Sequence, residues 1–321
     1  MHESILLEHI YATNALLGEQ VTIPPGDDMG AIQIGGEEVL ITVDQLLDGV
    51  HFQLSKDPIG KIAKKAITRN LSDVAAMGGL PVAAVAAGCI PHNFRQEQAE
   101  ILFDTMRNTA EKHQCPLIGG DIATGDQPLN ISVTVMATMK GIPPMLRCGA
   151  QIGDVICVTG QLGGSQHSLD GYTHHLDFEP RLQVARMLAT HHQHRPNCMI
   201  DLSDGLASDL AHLCRAASLS ATVDEKLLPF SKTTALLADQ GDHPKWKHAV
   251  SDGEDYELCF TMTPSHAEGL IANGIDGVPV TCIGMMEPYR GESIVRIRLP
   301  DKTYKDITDL GWQHIGQPEP S

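Results

Sequence analysis

The chain has 321 residues, of which 42% are hydrophobic and 20% charged, an ordinary globular composition that excludes a fibre, a disordered chain and a membrane bundle. Lys and Arg total 23 against 40 Asp and Glu, so the formal net charge is −17, and duplex nucleic acid is not an expected partner because binding its phosphates needs clustered cations. The longest mostly apolar run, residues 80–90, is too short to cross a bilayer, and Glu3 and Glu8 do not suit a signal peptide. We therefore expect a cytoplasmic protein with no membrane partner.

Cysteine and histidine do not suggest a metal centre. The eight Cys include no Cys-x-x-Cys pair, and most lie in apolar stretches, as Cys157 does, which is typical of buried thiols in a reducing compartment. A zinc or iron–sulfur site is therefore not expected. The His-rich segment 174–194 is expected to be an exposed loop and helix end, and we do not expect a metal there.

The first half of the chain alternates apolar runs with amphipathic stretches. Residues 59–77 have apolar side chains at helical spacing, and Gly78 ends this predicted helix. Its lysines, Lys61, Lys64 and Lys65, are predicted on the solvent side. The other predicted elements of this half are strands at 39–43, 82–90 and 130–139 and a helix at 95–113.

The best candidate for a linker is the Gly-Ile-Pro-Pro segment at 141–144. It divides the chain into two predicted domains, 1–143 and 144–321, and each of them mixes strands with helices. The elements predicted for the second domain are strands at 154–158, 256–262, 279–284 and 293–299 and helices at 180–190 and 205–217.

Carboxylates recur where a strand ends or a helix begins, beside Gly, Ser or Thr. Each one alone is better explained as a helix cap or turn residue, since Asp is preferred at both. Six such clusters would repel one another if brought together, and divalent cations would relieve the repulsion. Mg²⁺ suits them better than zinc, because the clusters contain neither Cys nor His. The clusters are Gly26-Asp27-Asp28, Asp44, Leu71-Ser72-Asp73, Gly119-Gly120-Asp121, the segment 200–205 and Gly253-Glu254-Asp255.

A nucleoside triphosphate is the ligand that would use several Mg²⁺ ions together with glycine-rich turns. The sequence contains no P-loop pattern, no dinucleotide-binding glycine motif and no protein-kinase signature. ATP would therefore be held mainly by metal ions that bridge carboxylates to its phosphates.

The same clusters, in the same order, give the chain a resemblance to thiamine-monophosphate kinase, of the superfamily that also holds aminoimidazole ribonucleotide synthase and selenophosphate synthetase. The resemblance covers nearly the whole chain. No single motif is specific, and the resemblance depends on seven motifs in order. The matching stretches are residues 26–28, 42–44 with 49–52, 70–78, 119–121, 147–154, 200–205 and 253–258.

The resemblance implies an α+β fold class. It implies an α/β N-terminal domain whose strands pair across a homodimer into a barrel, and an α+β C-terminal domain. ATP and Mg²⁺ would lie in a cleft between the two domains.

The resemblance also implies the site residues, with none acting as an acid or base. The implied metal-binding residues are Asp28, Thr42, Val43, Asp44, Asp73, Asp121, Asp201 and Asp204. The implied nucleotide contacts are Gly120, Asp121, Arg147 and Ser203. The implied contacts with thiamine monophosphate are His51, Glu254 and Trp312.

Some of these residues also have ordinary structural explanations. His51, which precedes Phe52, could be a packed residue at a strand end, and Arg147 could pair with a surface carboxylate. Trp312 could cover an apolar patch, whereas stacking on a cationic thiazolium would use the cation–π attraction that Trp supplies best.

Several positions depart from the family's pattern. Val43 stands where Thr is usual, although a backbone carbonyl could still bind metal there. Arg69 stands where a small apolar residue is expected in the helix before Asp73. The implied metal ligands are retained, whereas the substrate end is less secure. The remaining departures are Met29 with Gly30, Ile122 and Asp252.

The resemblance implies direct transfer of the ATP γ-phosphoryl group to the phosphate of thiamine monophosphate. The acceptor needs no general base, since the second pKa of a phosphomonoester is about 6. Several Mg²⁺ ions would bring the two anions together. Two alternatives stay open, namely another ATP-dependent synthase or kinase of the superfamily and a homologue that binds ATP without turnover.

Overall fold

The computed structural model of the chain describes residues 3–191, 195–241 and 243–312. Its first half contains the helices α1 (Glu3–Tyr11), α2 (Ile59–Ala76) and α3 (Gln96–Lys112), with a short 3-10 helix at Asn14–Leu16. The strands of this half are β1 (Val21–Ile23), β2 (Gly30–Ile34), β3 (Glu37–Leu47), β4 (Leu80–Pro91), β5 (Leu117–Gly125) and β6 (Asn130–Thr138).

The second half contains a second set of strands and shorter helices. Its strands are β7 (Val155–Thr159), β8 (Ser168–Leu169), β9 (Tyr172–Thr173), β10 (Cys198–Asp201), β11 (Leu219–Asp224), β12 (Leu258–Met262), β13 (Val280–Pro288), β14 (Val295–Arg298) and β15 (Tyr304–Asp306). Its helices are α4 (His174–Asp177), α5 (Leu182–Thr190), α6 (Leu206–Ala217), α7 (Lys232–Asp239), α8 (Lys245–Ser251) and α9 (Pro264–Asn273), with a 3-10 helix at Glu225–Leu227.

Each half is built on its own sheet. The first sheet has the strand order β1-β2-β3-β6-β4-β5 and the second has the order β10-β12-β7-β13-β11-β14-β15. The predicted α+β class is confirmed, and within the described ranges neither sheet closes into a barrel in a single chain. The first sheet ends at Thr138 and the second begins at Val155, on either side of the predicted linker.

The first sheet has one covered face and one open face. Alternate residues of β6 are buried, and they pack with the apolar side of α2 in one core. The other face and the edge carry apolar side chains in solvent, since Val43 is 62% exposed and Ile122 is 58% exposed. Strand β5 forms this edge and is exposed along most of its length.

Helix α2 lies at the junction of the two halves. It lies against β3 and β6 on one side and against α5 and β10 on the other. Ser72 donates a hydrogen bond to Asp201 across the junction, and Lys64 pairs with Asp177 at 2.7 Å. Because this helix is covered on both sides, its polar residues lie between the domains.

Two predictions about exposure are wrong for this reason. Lys65 is fully buried, whereas helical spacing placed it with Lys61 and Lys64 in solvent. His175 is also buried, on α4, although the sequence indicated an exposed loop; His191 is exposed, and residues 192–194 lie outside the described ranges. No helix in the described parts of the chain is both long enough and apolar enough to cross a membrane.

Candidate active site

A pocket of about 280 Å³ opens between the two halves of the chain, beside α2. The ends of β3 and β10 and the loops before α6 and β12 form its walls. Two of the departures noted in the sequence, Arg69 and Asp252, line it. Twelve predicted site residues also line it, and they are Asp28, Thr42, Val43, Asp44, His51, Asp73, Arg147, Asp201, Ser203, Asp204, Glu254 and Trp312.

Gly120 and Asp121 are not among the residues that line this pocket. Both lie on the edge strand β5, which β4 and β6 separate from β3. A Cβ atom at Gly120 would lie 1.9 Å from the carbonyl oxygen of Ala86, so the close approach of β5 to β4 requires glycine there. The roles of Gly120 and Asp121 in binding nucleotide and metal stay predictions.

Three charged residues at four-residue spacing on α2 face the pocket region. Lys65, Arg69 and Asp73 share one side of the helix because residues i and i+4 lie above each other. Lys65 bonds to Glu254 at 2.5 Å, and the Nε atom of Arg69 donates to Asp44 at 2.9 Å. A single helix therefore sets the charges at both ends of the pocket.

At one end, the half-buried Asp73 and the buried Asp201 accept hydrogen bonds from hydroxyl groups. The hydroxyl of Thr42 donates to Asp73 at 2.5 Å, and that of Ser72 donates to Asp201 at 2.6 Å. Burial and the charges of Asp44 and Asp201 raise the pKa of Asp73 well above its usual value. Burial and the charge of Asp28 raise the pKa of Asp201 to about 7. We call this group of Asp28, Asp73 and Asp201 the acidic end.

Arg147 is the cation nearest the third carboxylate of the acidic end. Its Nη2 and Nε atoms donate to one oxygen of Asp28 at 2.6 and 3.2 Å, and its backbone N–H donates to Asp27. The second oxygen of Asp28 is buried without a hydrogen-bond partner. Burial raises the pKa of Asp28. Burial and the neighbouring charge of Asp28 together raise the pKa of Asp27 to about 6. Arg147 thus pairs with a buried carboxylate rather than one at the surface.

At the other end, Glu254 is paired with Lys65 and lies beside His175. The ammonium of Lys65 donates to Glu254 and, at 2.7 Å, to the carbonyl of His51, while His175 lies 3.0 Å from the second Glu254 oxygen. Burial lowers the pKa of Lys65 to about 8. Burial alone would raise the pKa of Glu254, yet the charges of Lys65 and His175 lower it to about 2. We call Lys65, His175, Glu254 and Trp312 together the acceptor end.

Backbone contacts between loops fix the acceptor end. The backbone N–H of Glu254 donates to the carbonyl of Ser203 at 2.7 Å, and that of Trp312 donates to the carbonyl of Asp204 at 2.8 Å. Glu254 has a φ of 57° and Tyr256 one of 50°, both in the left-handed region that is costly for these residues. The loop before β12 is therefore held in an unusual conformation by its neighbours.

The oxygen donors of the acidic end suit a hard divalent cation. Asp28, Asp73 and Asp201 supply carboxylate oxygens. The oxygen of Asp28 that has no hydrogen-bond partner could bind a metal ion directly. In the described residues, however, no three His, Cys, Asp or Glu side chains already converge as a metal site. Asp44 differs from the other three, because Arg69 covers both of its oxygens.

Sequence patterns missed several residues that shape the site. Lys65 and His175 were assigned to solvent, and Asp209 was not singled out. Asp209 is buried on α6 and accepts from the backbone N–H groups of Asp204 and Gly205 at 3.2 and 3.0 Å, which fixes the loop that bears Asp204. The four-residue spacing of Lys65, Arg69 and Asp73 was the signal available in the sequence.

Comparison with known proteins gives consistent relatives. Residues 26–141 match the family of AIR synthase related proteins, N-terminal domain. The chain is 36% identical over 274 residues to the thiamine-monophosphate kinase of Rhodopirellula baltica, covering 83% of each chain, and 30% identical to that of Haemophilus influenzae, covering 98% of each. The solved structure of AaThiL complexed with AMPPCP and TMP superposes with a TM-score of 0.81 at 25% identity, covering 98% of this chain and 97% of that one.

Proposed function

This chain belongs to the thiamine-monophosphate kinase family, and we propose that it transfers the γ-phosphoryl group of ATP to the phosphate of thiamine monophosphate, giving thiamine diphosphate and ADP. The observation that carries the proposal is that a single pocket is lined both by the carboxylates of the acidic end and by Glu254 and Trp312 of the acceptor end. AaThiL, its structural relative, is complexed with AMPPCP and TMP. A pocket whose lining includes both metal-binding oxygens and a Trp side chain suits a transfer between the phosphates of a nucleotide and of a cationic acceptor.

The reaction makes modest demands on acid–base chemistry. The acceptor phosphate is a nucleophile near neutral pH without a general base, since its second pKa is about 6. Positioning and charge neutralisation then dominate catalysis of an in-line transfer. Arg147 and the backbone near Ser203 would hold nucleotide phosphates, a role supported by their position in the lining of the pocket.

The acidic end would hold Mg²⁺ in this proposal. When bound, the ions neutralise the phosphates of ATP and of the acceptor and align them for transfer. Asp28, Asp73 and Asp201 would supply carboxylate oxygens, since all three line the same pocket. The other proposed ligands are Thr42, Val43, Asp121 and Asp204, whereas Asp44, predicted with them, has both oxygens bound by Arg69.

The acceptor end would hold the thiamine portion. Trp312 lines the pocket and is 38% exposed, so one part of its ring system is open to a ligand. Stacking of the indole on the cationic thiazolium provides a cation–π attraction. His51 and Glu254 line the same pocket, where they would contact the thiamine portion.

We also propose that the chain acts as a homodimer in the cytoplasm. The exposed edge strand β5 and the apolar open face of the first sheet support a partner, because an unpaired edge and an exposed apolar face are costly in a monomer. A partner on that edge would also bury Asp121. The free thiols of the chain support a reducing compartment.

An ADP-release assay tests the proposed function. Purified protein with Mg²⁺ and ATP would be given thiamine monophosphate, thiamine, other phosphomonoesters or no acceptor. We expect ADP release that depends on thiamine monophosphate, with thiamine diphosphate as the product. Release with a different acceptor only would favour another enzyme of the superfamily, and nucleotide binding without release would favour a non-catalytic homologue.

A further inference from the structure

Arg69 is anchored inside the predicted metal-binding region. Its Nε atom donates to one oxygen of Asp44 at 2.9 Å, and its Nη2 atom donates to the other at 3.3 Å. Its Nη1 atom donates to the carbonyl of Gln45 at 2.9 Å. The side chain is only 11% exposed, so the guanidinium is held in the pocket wall rather than in solvent.

Neighbouring contacts show that this pairing is built into the fold. The next residue, Asn70, accepts a hydrogen bond from the backbone N–H of Asp44 at 3.0 Å, and its amide donates to the carbonyl of Ala66. Two consecutive residues of α2 therefore fix both the side chain and the backbone of Asp44. A planar guanidinium bound to both oxygens of a carboxylate is also the strongest geometry for such a pair.

The two arginines of the pocket use their carboxylates differently. Arg147 binds a single oxygen of Asp28 and leaves the other buried without a partner, so that carboxylate can still receive a cation. Arg69 covers both oxygens of Asp44. A divalent ion at Asp44 would have to displace the guanidinium and leave a positive charge unpaired in a largely buried position, which is costly.

We propose that the guanidinium of Arg69 binds and neutralises Asp44 in place of a divalent metal ion. This inference rests on the proposed function, because it concerns the charges that bring ATP and the acceptor together. Arg69 is one of the departures noted in the sequence, at a position where a small apolar residue is expected. The guanidinium is permanently charged, so this positive charge is present at any metal concentration. Arg69 is thus a positioning residue for Asp44 and a fixed part of the charge balance.

The number of bound metal ions tests this inference without turnover. Mn²⁺ binding would be counted by electron paramagnetic resonance in the presence of a non-hydrolysable ATP analogue, with no acceptor. We expect Arg69→Ala to bind one more Mn²⁺ per chain than the wild type, because Asp44 becomes available. Arg107→Ala, at an exposed arginine on α3, is the control and should bind the wild-type number.

Kinetics at varied Mg²⁺ provides the second measurement. Arg69→Ala should lose about 10-fold or more in activity at low Mg²⁺ and recover at high Mg²⁺, whereas Arg69→Lys, which keeps a charge, should be less dependent on Mg²⁺ than Arg69→Ala. If Arg69→Ala does not fold, Arg69→Gln, which is closer in size, replaces it. A wild-type Mn²⁺ count and affinity in the folded variant would overturn the inference. Because the Mn²⁺ count needs no acceptor, it can contradict this inference in a protein that still phosphorylates thiamine monophosphate. Conversely, the expected count can be observed in a protein that does not phosphorylate it.

Discussion

Asp73 and Glu254 line the same pocket and are both half-buried, but the chain surrounds their carboxylates in opposite ways. Glu254 lies against Lys65 and His175, and these charges lower its pKa to about 2. Asp73 has a hydroxyl partner and lies near the carboxylates of Asp44 and Asp201, so its pKa is raised well above the usual value. Asp73 belongs to α2, and Glu254 contacts Lys65, which lies eight positions earlier on the same helix.

The difference indicates what each end is built to receive. A buried carboxylate that is already paired with protein cations is rigid and can recognise a ligand that does not change during a reaction. Buried carboxylates that crowd one another store repulsion, which an incoming cation relieves. The acidic end is therefore expected to depend on ligands, and the acceptor end to depend on its own ion pairs.

Breaking the ion pair of the acceptor end should have the largest effect. Lys65→Met leaves Glu254 buried beside a neutral side chain, and removal of one partner from a buried pair costs about 3 kcal/mol or more. Urea unfolding would measure the loss, with Lys61→Met as a control because Lys61 lies at the surface of the same helix. Equal losses in the two variants would show that the Lys65–Glu254 pair does not stabilise this end.

Removing one charge from the acidic end should affect catalysis more than stability. Asp73→Asn keeps the size of the side chain and also relieves repulsion in the ligand-free protein. We expect kcat to fall by about 10²-fold or more, as when other electrostatic stabilisers of a transition state are lost. The control is Asp276→Asn at an exposed turn, which should leave kcat unchanged. A normal kcat in Asp73→Asn would remove this residue from the acidic end's function.

A substitution at Trp312 should give a smaller effect of a different kind. The thiamine portion does not react and is bound about equally before and during transfer, so its contacts appear in KM rather than kcat. We expect Trp312→Ala to raise KM for thiamine monophosphate about 10-fold and to leave KM for ATP nearly unchanged. Steady-state kinetics would measure both constants. An unchanged acceptor KM would exclude Trp312 from the acceptor end while leaving the kinase proposal intact.

The smallest expected effect is a release of protons. Burial and the charge of Asp28 raise the pKa of Asp201 to about 7, so its carboxyl is partly protonated at pH 6.5. It must lose that proton to bind a metal ion, and the affinity for Mg²⁺–ADP should therefore rise with pH up to about 7. Calorimetry in two buffers of different ionisation enthalpy should detect a fraction of a proton released at pH 6.5 and almost none at pH 8.5. Asp201→Asn should lower the number of protons released on binding at pH 6.5. An unchanged number would show that the proton comes from another group.

The sequence predicted the acidic end better than the acceptor end, for a physical reason. Asp28 precedes β2, Asp201 ends β10 and Asp73 lies in the last turn of α2, each in a short motif with Gly or Ser that is visible in a sequence. Lys65 was assigned to solvent because helical spacing shows which residues share a side, but not what covers that side.

The partners of the acceptor end come from distant parts of the chain. His175 belongs to a loop and short helix of the second domain, and Glu254 lies almost two hundred residues beyond Lys65. No periodicity brings these residues together, since only the docking of the two domains does so. The family resemblance identified Glu254 for the site, but it did not identify the cations that hold it.

The melting temperature with and without metal tests most directly whether the acidic end is completed by a cation and a nucleotide. A ligand that binds only the folded state at about 100 times its dissociation constant adds roughly 2.7 kcal/mol of stability. We expect Mg²⁺–ADP to raise the Tm by several degrees, ADP with a chelator to do little, and Asp73→Asn to lose most of the shift. Equal shifts with Mg²⁺ and with chelator would contradict the account, because the nucleotide would then bind without any cation at the acidic end.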